Sequence, residues 1–155
     1  MRILAIDPGP MQSAYIVLDG ARVLEHGIVE NVEFRQLLAL RAMDPAIDAC
    51  AIEMIASYGM PVGAEVFETC VVIGRLLEIW KRWHAADPAR LPRLAVKQAL
   101  CHDSRAKDAH IRAALIDHFG GPSCIRKGGT LYKVKADEWA ALGVAVTYQR
   151  GQEPS

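Results

Sequence analysis

The sequence predicts an α/β protein in which helices cover a central, mixed five-stranded sheet. The first 30 residues have the pattern of a meander of short strands separated by turn residues. Two further strand-like runs, at 48–55 and 93–100, alternate with segments of helical periodicity. This order of elements favours one sheet with helices on its faces. With 155 residues and neither internal repeats nor a long linker, the chain has the size of a single domain.

The individual elements follow from turn residues and from the spacing of apolar residues. In chain order we predict strands at 2–7, 13–19 and 22–30, a helix at 33–43, a strand at 48–55, a helix at 62–83, a strand at 93–100, and helices at 105–119 and 136–148. Gly20 opens the turn after the second strand, Pro45 follows the first helix and Gly120 ends the third. We expect residues 1–150 to form the ordered domain and 151–155 to be a flexible tail.

The helix predicted at 62–83 carries a long apolar stripe. Its expected inward residues, at spacings of three and four, are Val62, Val66, Cys70, Ile73, Leu77 and Trp80. Such a stripe indicates core packing against the sheet.

The formal net charge is zero, but the charged residues are unevenly distributed. Residues 1–74 carry four basic and ten acidic side chains, residues 75–135 carry thirteen and five, and the last twenty carry one and three. The basic segment is either a solvated helix face or a surface that binds a polyanion.

The sequence shows no sign of a membrane or a secreted protein. No apolar run approaches the ~18 residues that span a bilayer. The N-terminal stretch MRILAIDPG lacks the organisation of a signal peptide. The four scattered cysteines form no C-x-x-C pair, and we interpret them as reduced, mostly buried thiols. We therefore expect a cytosolic protein that does not associate with membranes.

Two carboxylates stand where a strand should be buried. Asp7 ends the first strand, just before the turn Pro8-Gly9-Pro10, and Glu53 lies inside the apolar run CAIEMI. If these two strands are neighbours, the carboxylates repel each other, and one must bind a proton unless a cation neutralises the pair. Hard oxygen ligands in a site with open positions favour Mg²⁺ or Mn²⁺.

A third acidic position opens the last predicted helix. Asp137 and Glu138 lie in its first turn, where carboxylates often serve only to complement the helix dipole. Because Asp7 and Glu53 already suggest a cation site, we interpret Asp137 and Glu138 as candidate ligands of the same cation.

These segments resemble the RuvC family of Holliday-junction resolvases, within the ribonuclease H-like superfamily, and especially its short phage-type members. The resemblance covers most of the chain. It rests on AIDPG near the start, AIEMIASYGMPVGAEVFET in the middle, KQALCHDSRAKDAHIRAAL after that and WAALGVAVTY near the end. The stretch IDPG alone also occurs in sugar-kinase and actin-type folds. Its combination with a strand-borne IE and with VKQ…K is more specific.

The resemblance implies a ribonuclease H-like fold and four carboxylates that bind two Mg²⁺ ions, for which Mn²⁺ substitutes. Asp7 matches the family's first-strand aspartate and Glu53 its fourth-strand glutamate. The family's last helix bears two aspartates three positions apart, of which the first falls on Asp137 and the second on Ala140. Either Glu138 substitutes, or the second ion has fewer protein ligands, or this helix aligns differently. The implied reaction is two-metal hydrolysis of a phosphodiester.

The resemblance also places basic and aromatic residues near DNA. Lys97 and Lys107 fall where it puts basic residues close to the scissile strand, and Lys107 is a candidate for stabilising the transition state. Tyr58 is a candidate for stacking on a base, because the family's aromatic position is Ala56 here. Each residue also has a purely structural interpretation: Lys97 as a lysine at a strand edge, Lys107 as a solvated residue, and Tyr58 as a tyrosine packed in its loop. Weaker candidates for phosphate contacts are Arg105, Arg112, Arg126, Lys127, Lys133 and Lys135.

The resemblance implies that the protein binds branched DNA and uses no nucleotide cofactor. It also implies a protein of the bacterial cytoplasm, encoded by the bacterium or by a phage. Because a four-way junction has two-fold symmetry, paired cuts need two active sites, and we expect a homodimer. Its expected interface is the 62–83 helix, which carries Phe67, Val71, Trp80 and Trp83.

Three alternatives stay open at the level of sequence. The first is a junction-binding protein that has lost cleavage, as the alanine at position 140 permits. The second is a ribonuclease H-like nuclease that acts on other branched DNA or on RNA–DNA hybrids. The third is an actin-like phosphotransferase, for which 155 residues are too few to hold both domains.

Overall fold

A mixed five-stranded sheet with helices on both faces forms the centre of the computed structural model, which describes residues 1–153. The strands are β1 (Arg2–Pro8), β2 (Gln12–Asp19), β3 (Arg22–Glu30), β4 (Ala49–Met54) and β5 (Ala89–Pro92). The helices are α1 (Asn31–Met43), α2 (Ala64–Lys81), α3 (Arg93–Cys101), α4 (Asp108–His118) and α5 (Glu138–Gln152), and a 3-10 turn spans Pro122–Ile125. The predicted α/β class and the five-stranded mixed sheet are confirmed.

The order of the strands is β3-β2-β1-β4-β5, so that β1 lies at the centre. It pairs antiparallel with β2 and parallel with β4, and β5 adds a parallel edge strand. In the β1–β4 register Ile6 faces Ile52. The acidic residue that follows each of them therefore lies at the same end of the sheet.

The two faces of the sheet bury separate cores. Helices α1 and α2 cover one face, where Ile6 and Ile52 pack, and α3, α4 and α5 cover the other, where Ala5 and Ala51 pack. The central strands contribute the small side chains Ala5 and Ala51 to the core beneath α5. Because successive strand residues alternate between faces, Asp7 turns toward the face that α5 covers.

The strand predicted at 93–100 is wrong, because this segment is helix α3 and the fifth strand is the shorter segment before it. Val96 and Leu100 are buried four residues apart, which is the spacing of a helix rather than of a strand. Pro92 ends β5 and occupies the N-cap position of α3. Because of this error, Arg93, which begins α3, was not among the candidate site residues.

The buried stripe of α2 also differs from the prediction. Its buried residues are Thr69, Val72, Ile73, Leu76 and Trp80. Cys70 is exposed, whereas Cys50 and Cys124 are buried, and no disulfide joins the cysteines of the described chain. Trp80, proposed from sequence as an interface residue, is buried and stacks on His84 with ring centroids 3.8 Å apart.

The last helix is longer than predicted, since α5 continues to Gln152. Gly151 and Gln152, assigned to a flexible tail from sequence, are helical, and residues 154–155 lie outside the described part of the chain. None of the described helices has both the length and the apolar character that a membrane span needs.

Candidate acidic active site

Asp7 and Glu53 lie side by side where β1 and β4 end. Each directly follows one residue of the Ile6–Ile52 pair, so both side chains turn toward the α5 face. Burial, followed by repulsion from Glu53 and Asp137, raises the pKa of Asp7 from 3.8 to about 7. Burial also raises the pKa of Glu53, although its pairing with Arg93 acts in the opposite direction. Two half-buried carboxylates thus share a site with an excess of negative charge.

The turn after Asp7 is held by hydrogen bonds that begin at Gly9. The Gly9 N–H donates to the Gln12 carbonyl at 3.0 Å, and the Asn31 side-chain amide donates to the Gly9 carbonyl at 2.9 Å. Ser13 in turn donates its hydroxyl to Asn31 at 2.7 Å. A Cβ at Gly9 would lie only 2.6 Å from the Gln12 carbonyl oxygen. The glycine of IDPG therefore permits the close turn that fixes the end of β1.

The start of α5 brings a third carboxylate to this pair. Asp137 is the N-cap residue of α5, which packs across β1 and β2. Its side chain lines a cavity of about 230 Å³ together with Asp7 and Glu53. The structure therefore brings together carboxylates from three separate segments of the sequence.

Asp108, a fourth carboxylate that was not among the sequence candidates, lines the same cavity. It begins α4, and its side chain is 86% exposed. Its charge adds to the rise in the pKa of both Asp7 and Glu53. We call Asp7, Glu53, Asp108 and Asp137 the acidic cluster. One feature of the sequence could have indicated Asp108 as a site residue. It directly follows Lys107, which was expected to lie near DNA.

The guanidinium of Arg93 lies within the acidic cluster. Its Nη1 is 3.1 Å from Glu53 Oε2, and its Nη2 is 2.5 Å from Asp108 Oδ1. Leu91 faces Glu53 across the β4–β5 pair, and Arg93 begins α3 directly after β5 ends at Pro92. Burial alone would lower the pKa of Arg93, but Glu53 and Asp108 raise it. The cavity lining thus holds four carboxylates and one guanidinium.

Glu138, a predicted metal ligand, does not line this cavity. Its side chain is 2% exposed, accepts a hydrogen bond from the Lys135 N–H at 2.8 Å and lies 3.0 Å from His26 Nδ1. Successive residues of a helix point about 100° apart, so Glu138 and Asp137 face different directions. Ala140, where the family has an aspartate, does line the cavity. Glu138 therefore stabilises the turn before α5, and we leave it out of the candidate ligands.

Two of the predicted DNA-contacting residues lie beside the acidic cluster. Tyr58, which is exposed, lines an adjoining cavity of about 220 Å³ with Asp7, Glu53 and Arg93. The guanidinium of Arg112 lies 4.9 Å from the ring centroid of Trp139, and Trp139 lines the acidic cavity.

The other predicted contacts do not line either of these two cavities. Lys107 is the exposed N-cap residue of α4 and precedes Asp108. Lys97 is half-buried on α3, and Arg105 is exposed in the turn before α4. The weaker candidates on the segment between the 3-10 turn and α5 are exposed Arg126, Lys127, Lys133 and Lys135.

The donor chemistry of the acidic cluster fits a hard divalent cation. Its ligating atoms are carboxylate oxygens, as Mg²⁺ and Mn²⁺ prefer. Burial and then repulsion from neighbouring carboxylates raise the pKa of Asp7, and a bound cation would favour its ionised form. In the described residues, no group of three or more His, Cys, Asp or Glu side chains is arranged closely enough to hold an ion as it stands. Glu53 is instead paired with Arg93. The cluster therefore has the right donors, but Glu53 is engaged by a guanidinium.

Comparison with known proteins identifies the fold. No protein-family model matches the sequence, and no curated protein matches it. A structure of RuvC from Thermus thermophilus is similar, with a TM-score of 0.69 and 20% identity over 97% of this chain and 96% of that chain. The structure of T. thermophilus RuvC in complex with Holliday junction substrate has a TM-score of 0.74 and 18% identity, over the same shares of the two chains. The chain therefore has the ribonuclease H-like fold of RuvC, as its sequence predicted.

Proposed function

We propose that the protein is a divalent-metal-dependent endonuclease that cuts branched DNA, with the four-way junction as its substrate. The observation that carries the proposal is the convergence of Asp7, Glu53 and Asp137 in one cavity, on a fold shared with a RuvC that holds junction DNA. Two half-buried carboxylates with two exposed ones beside them repel one another unless a cation neutralises them. We therefore assign the acidic cluster to Mg²⁺, with Mn²⁺ as a substitute.

The chain's own residues supply rigidity and charge. Asp7 and Glu53 are fixed on adjacent strands and Asp137 on a helix start, so that their positions relative to one another are set by the sheet and by α5 packing. When bound, divalent ions in such a site supply activation of a water for in-line attack and stabilisation of the leaving 3′ oxygen. Asp108 adds a fourth negative charge to the cavity lining, in which Ala140 stands where the family has an aspartate.

The DNA is proposed to lie across the cavity mouth. Tyr58 offers a stacking face in the adjoining cavity, and Trp139, contacted by Arg112, lines the acidic cavity. Lys97, Lys107 and Arg105 are proposed to contact phosphates further along the strand. Because such contacts release counterions, junction affinity should fall steeply as salt concentration rises.

A homodimer is the proposed working form. Phe67, Val71 and Trp83 on α2 are exposed, and Val71 and Trp83 line a groove of about 770 Å³ between α1 and α2. Apolar side chains gathered on one surface favour an interaction site over open solvent. A second copy on this surface would present two active sites to a two-fold symmetric junction.

A cleavage assay tests the proposed function. A labelled synthetic four-way junction, a linear duplex and an RNA–DNA hybrid are incubated with the protein in Mg²⁺ or in EDTA, and with Asp7→Asn as the matched inactive variant. We expect paired nicks on the junction only, dependent on Mg²⁺ and absent with the variant, which should still bind the junction.

Other outcomes support the competing functions. Junction binding without cleavage in Mg²⁺ or Mn²⁺ would support a protein that binds junctions and does not cut them. The alanine at position 140, where the family has an aspartate, permits this alternative. Equal cleavage of the linear duplex or of the hybrid would support a nuclease of broader substrate range.

A further inference from the structure

Arg93 occupies a carboxylate oxygen that the proposed metal site needs. Its Nη1 is 3.1 Å from Glu53 Oε2, so a cation bound to this oxygen and the guanidinium would lie within a few ångströms of each other. Two positive charges that close repel strongly in a half-buried site, where solvent screening is weak. The guanidinium and a cation bound to Glu53 would therefore compete.

We propose that Arg93 is a displaceable internal cation that competes with the divalent metal for Glu53. In the metal-free protein its guanidinium joins Glu53 to Asp108. When the metal binds, Arg93 leaves Glu53 and stays with Asp108. The inference rests on the proposed function, because it assumes that the acidic cluster is a metal site.

The geometry of the guanidinium allows this partial release. Its two terminal nitrogens contact different carboxylates, Nη1 that of Glu53 and Nη2 that of Asp108. One contact can therefore break while the other holds. Asp108 is 86% exposed at the start of α4, so it can follow the guanidinium without a change in the buried core.

The charge balance explains why the position is an arginine. Without metal, the cavity lining presents four carboxylates, and Arg93 is the positive charge that contacts two of them. The same guanidinium lines the adjoining cavity with Tyr58, where DNA is proposed to lie. Arginine forms bidentate contacts with phosphate, so a DNA phosphate would draw Arg93 away from Glu53. Metal and DNA would then strengthen each other's binding, since such coupling is reciprocal.

The test is a Mn²⁺ titration without DNA, in which electron paramagnetic resonance reports the free ion. Wild type is compared with Arg93→Gln, with Arg93→Lys, and with Arg90→Gln as a control. Arg90 is exposed and pairs with Ile52, so its side chain lies on the sheet face opposite Glu53. We expect Arg93→Gln to bind Mn²⁺ about tenfold more tightly or better, as when a like charge is removed from within a few ångströms. Arg93→Lys and the control should stay near wild type.

A purely structural role for Arg93 gives a different pattern. In that case Glu53 would be misplaced in both Arg93 variants, and both would bind Mn²⁺ more weakly than wild type. Either this result or an unchanged Mn²⁺ affinity of Arg93→Gln would overturn the proposal. If the Arg93 proposal fails in this way but wild type binds Mn²⁺ and Asp7→Asn does not, the proposed metal site is still supported. If wild type does not bind Mn²⁺ at all, both proposals fall together.

A second measurement uses the wild-type chain and does not depend on the folding of Arg93→Gln. Arginine side-chain ¹⁵N–¹H NMR spectra are recorded in EDTA and then with Mg²⁺, and the Arg93 signals are assigned by their loss in Arg93→Lys. We expect Mg²⁺ to shift the Nη1 signal much more than the Nη2 signal. Unchanged Arg93 signals at saturating Mg²⁺ would overturn the proposal.

Discussion

The ionisation of Asp7 should oppose folding of the metal-free protein. Its pKa rises from 3.8 to about 7 on folding, so the folded chain holds the proton more tightly than the unfolded chain does. The stability that this proton provides is complete below about pH 4 and is lost as the pH rises through about 7. Asp7→Asn removes the ionisable group, so the variant should escape this loss.

The size of the effect follows from the two pKa values. A tenfold change in proton affinity corresponds to about 1.4 kcal/mol, so a rise from 3.8 to about 7 corresponds to about 4 kcal/mol. Between about pH 4 and pH 8, the free energy of unfolding of Asp7→Asn should therefore gain about 4 kcal/mol relative to wild type. Contributions of groups that do not interact with Asp7 cancel in the difference, whereas the repulsion between Asp7 and its neighbours Glu53 and Asp137 is part of the effect that is measured.

The assay is urea unfolding followed by circular dichroism, in EDTA, at several pH values across this range. Asp117→Asn is the control, since Asp117 is an exposed residue on α4 away from the acidic cluster. Addition of Mg²⁺ at about pH 8 should stabilise wild type and leave Asp7→Asn nearly unchanged. A difference between wild type and Asp7→Asn that stays constant within about 0.5 kcal/mol across the range would refute the reasoning.

Four further predictions concern other parts of the fold. Glu138→Ala should lower the free energy of unfolding by about 2 kcal/mol, because it removes a buried carboxylate that accepts a hydrogen bond from the Lys135 N–H. An unchanged urea midpoint would contradict this. Gly129→Ala should destabilise by about 1–3 kcal/mol, because its Cβ would lie 2.1 Å from the Cys124 carbonyl oxygen. Gly74→Ala, in open space on α2, should instead stabilise by about 0.5–1 kcal/mol, and thermal melts showing the reverse order would refute both. Phe67→Arg should convert the proposed dimer to monomer in sedimentation equilibrium, and a variant that stays dimeric would place the interface elsewhere.

The part of the site built from strands was predictable from sequence. A carboxylate inside an apolar run is costly unless it has a partner, and this made Asp7 and Glu53 conspicuous. The pairing of β1 with β4 had to be assumed, because alternation and run length do not say which strands are neighbours. The register of Ile6 with Ile52 supplies that missing relation.

The part built from α3 was not predictable in the same way. The segment 93–100 is rich in apolar residues and short, and such a run is ambiguous between a strand and a helix. Burial of Val96 and Leu100 on one side decides for the helix, but burial is a property of the folded chain. Arg93 consequently passed unnoticed, although its guanidinium contacts two carboxylates of the site.

The fourth carboxylate shows a further limit of reasoning from neighbours in sequence. Glu138 was attractive because it adjoins Asp137, yet one step along a helix turns the side chain away. Asp108 reaches the cavity from α4, about thirty residues earlier in the chain. Its approach depends on how α4 packs beside α5, which no local pattern encodes.

The position of Mn²⁺ in crystals of the protein bound to a four-way junction tests the central claim most directly. Anomalous scattering identifies the ion without assumptions about its ligands. We expect an anomalous peak in contact with the carboxylate oxygens of Asp7 and Glu53, with the Arg93 guanidinium withdrawn from Glu53. Junction DNA bound with no Mn²⁺ at these two carboxylates, or with Arg93 still paired to Glu53 beside the ion, would contradict it.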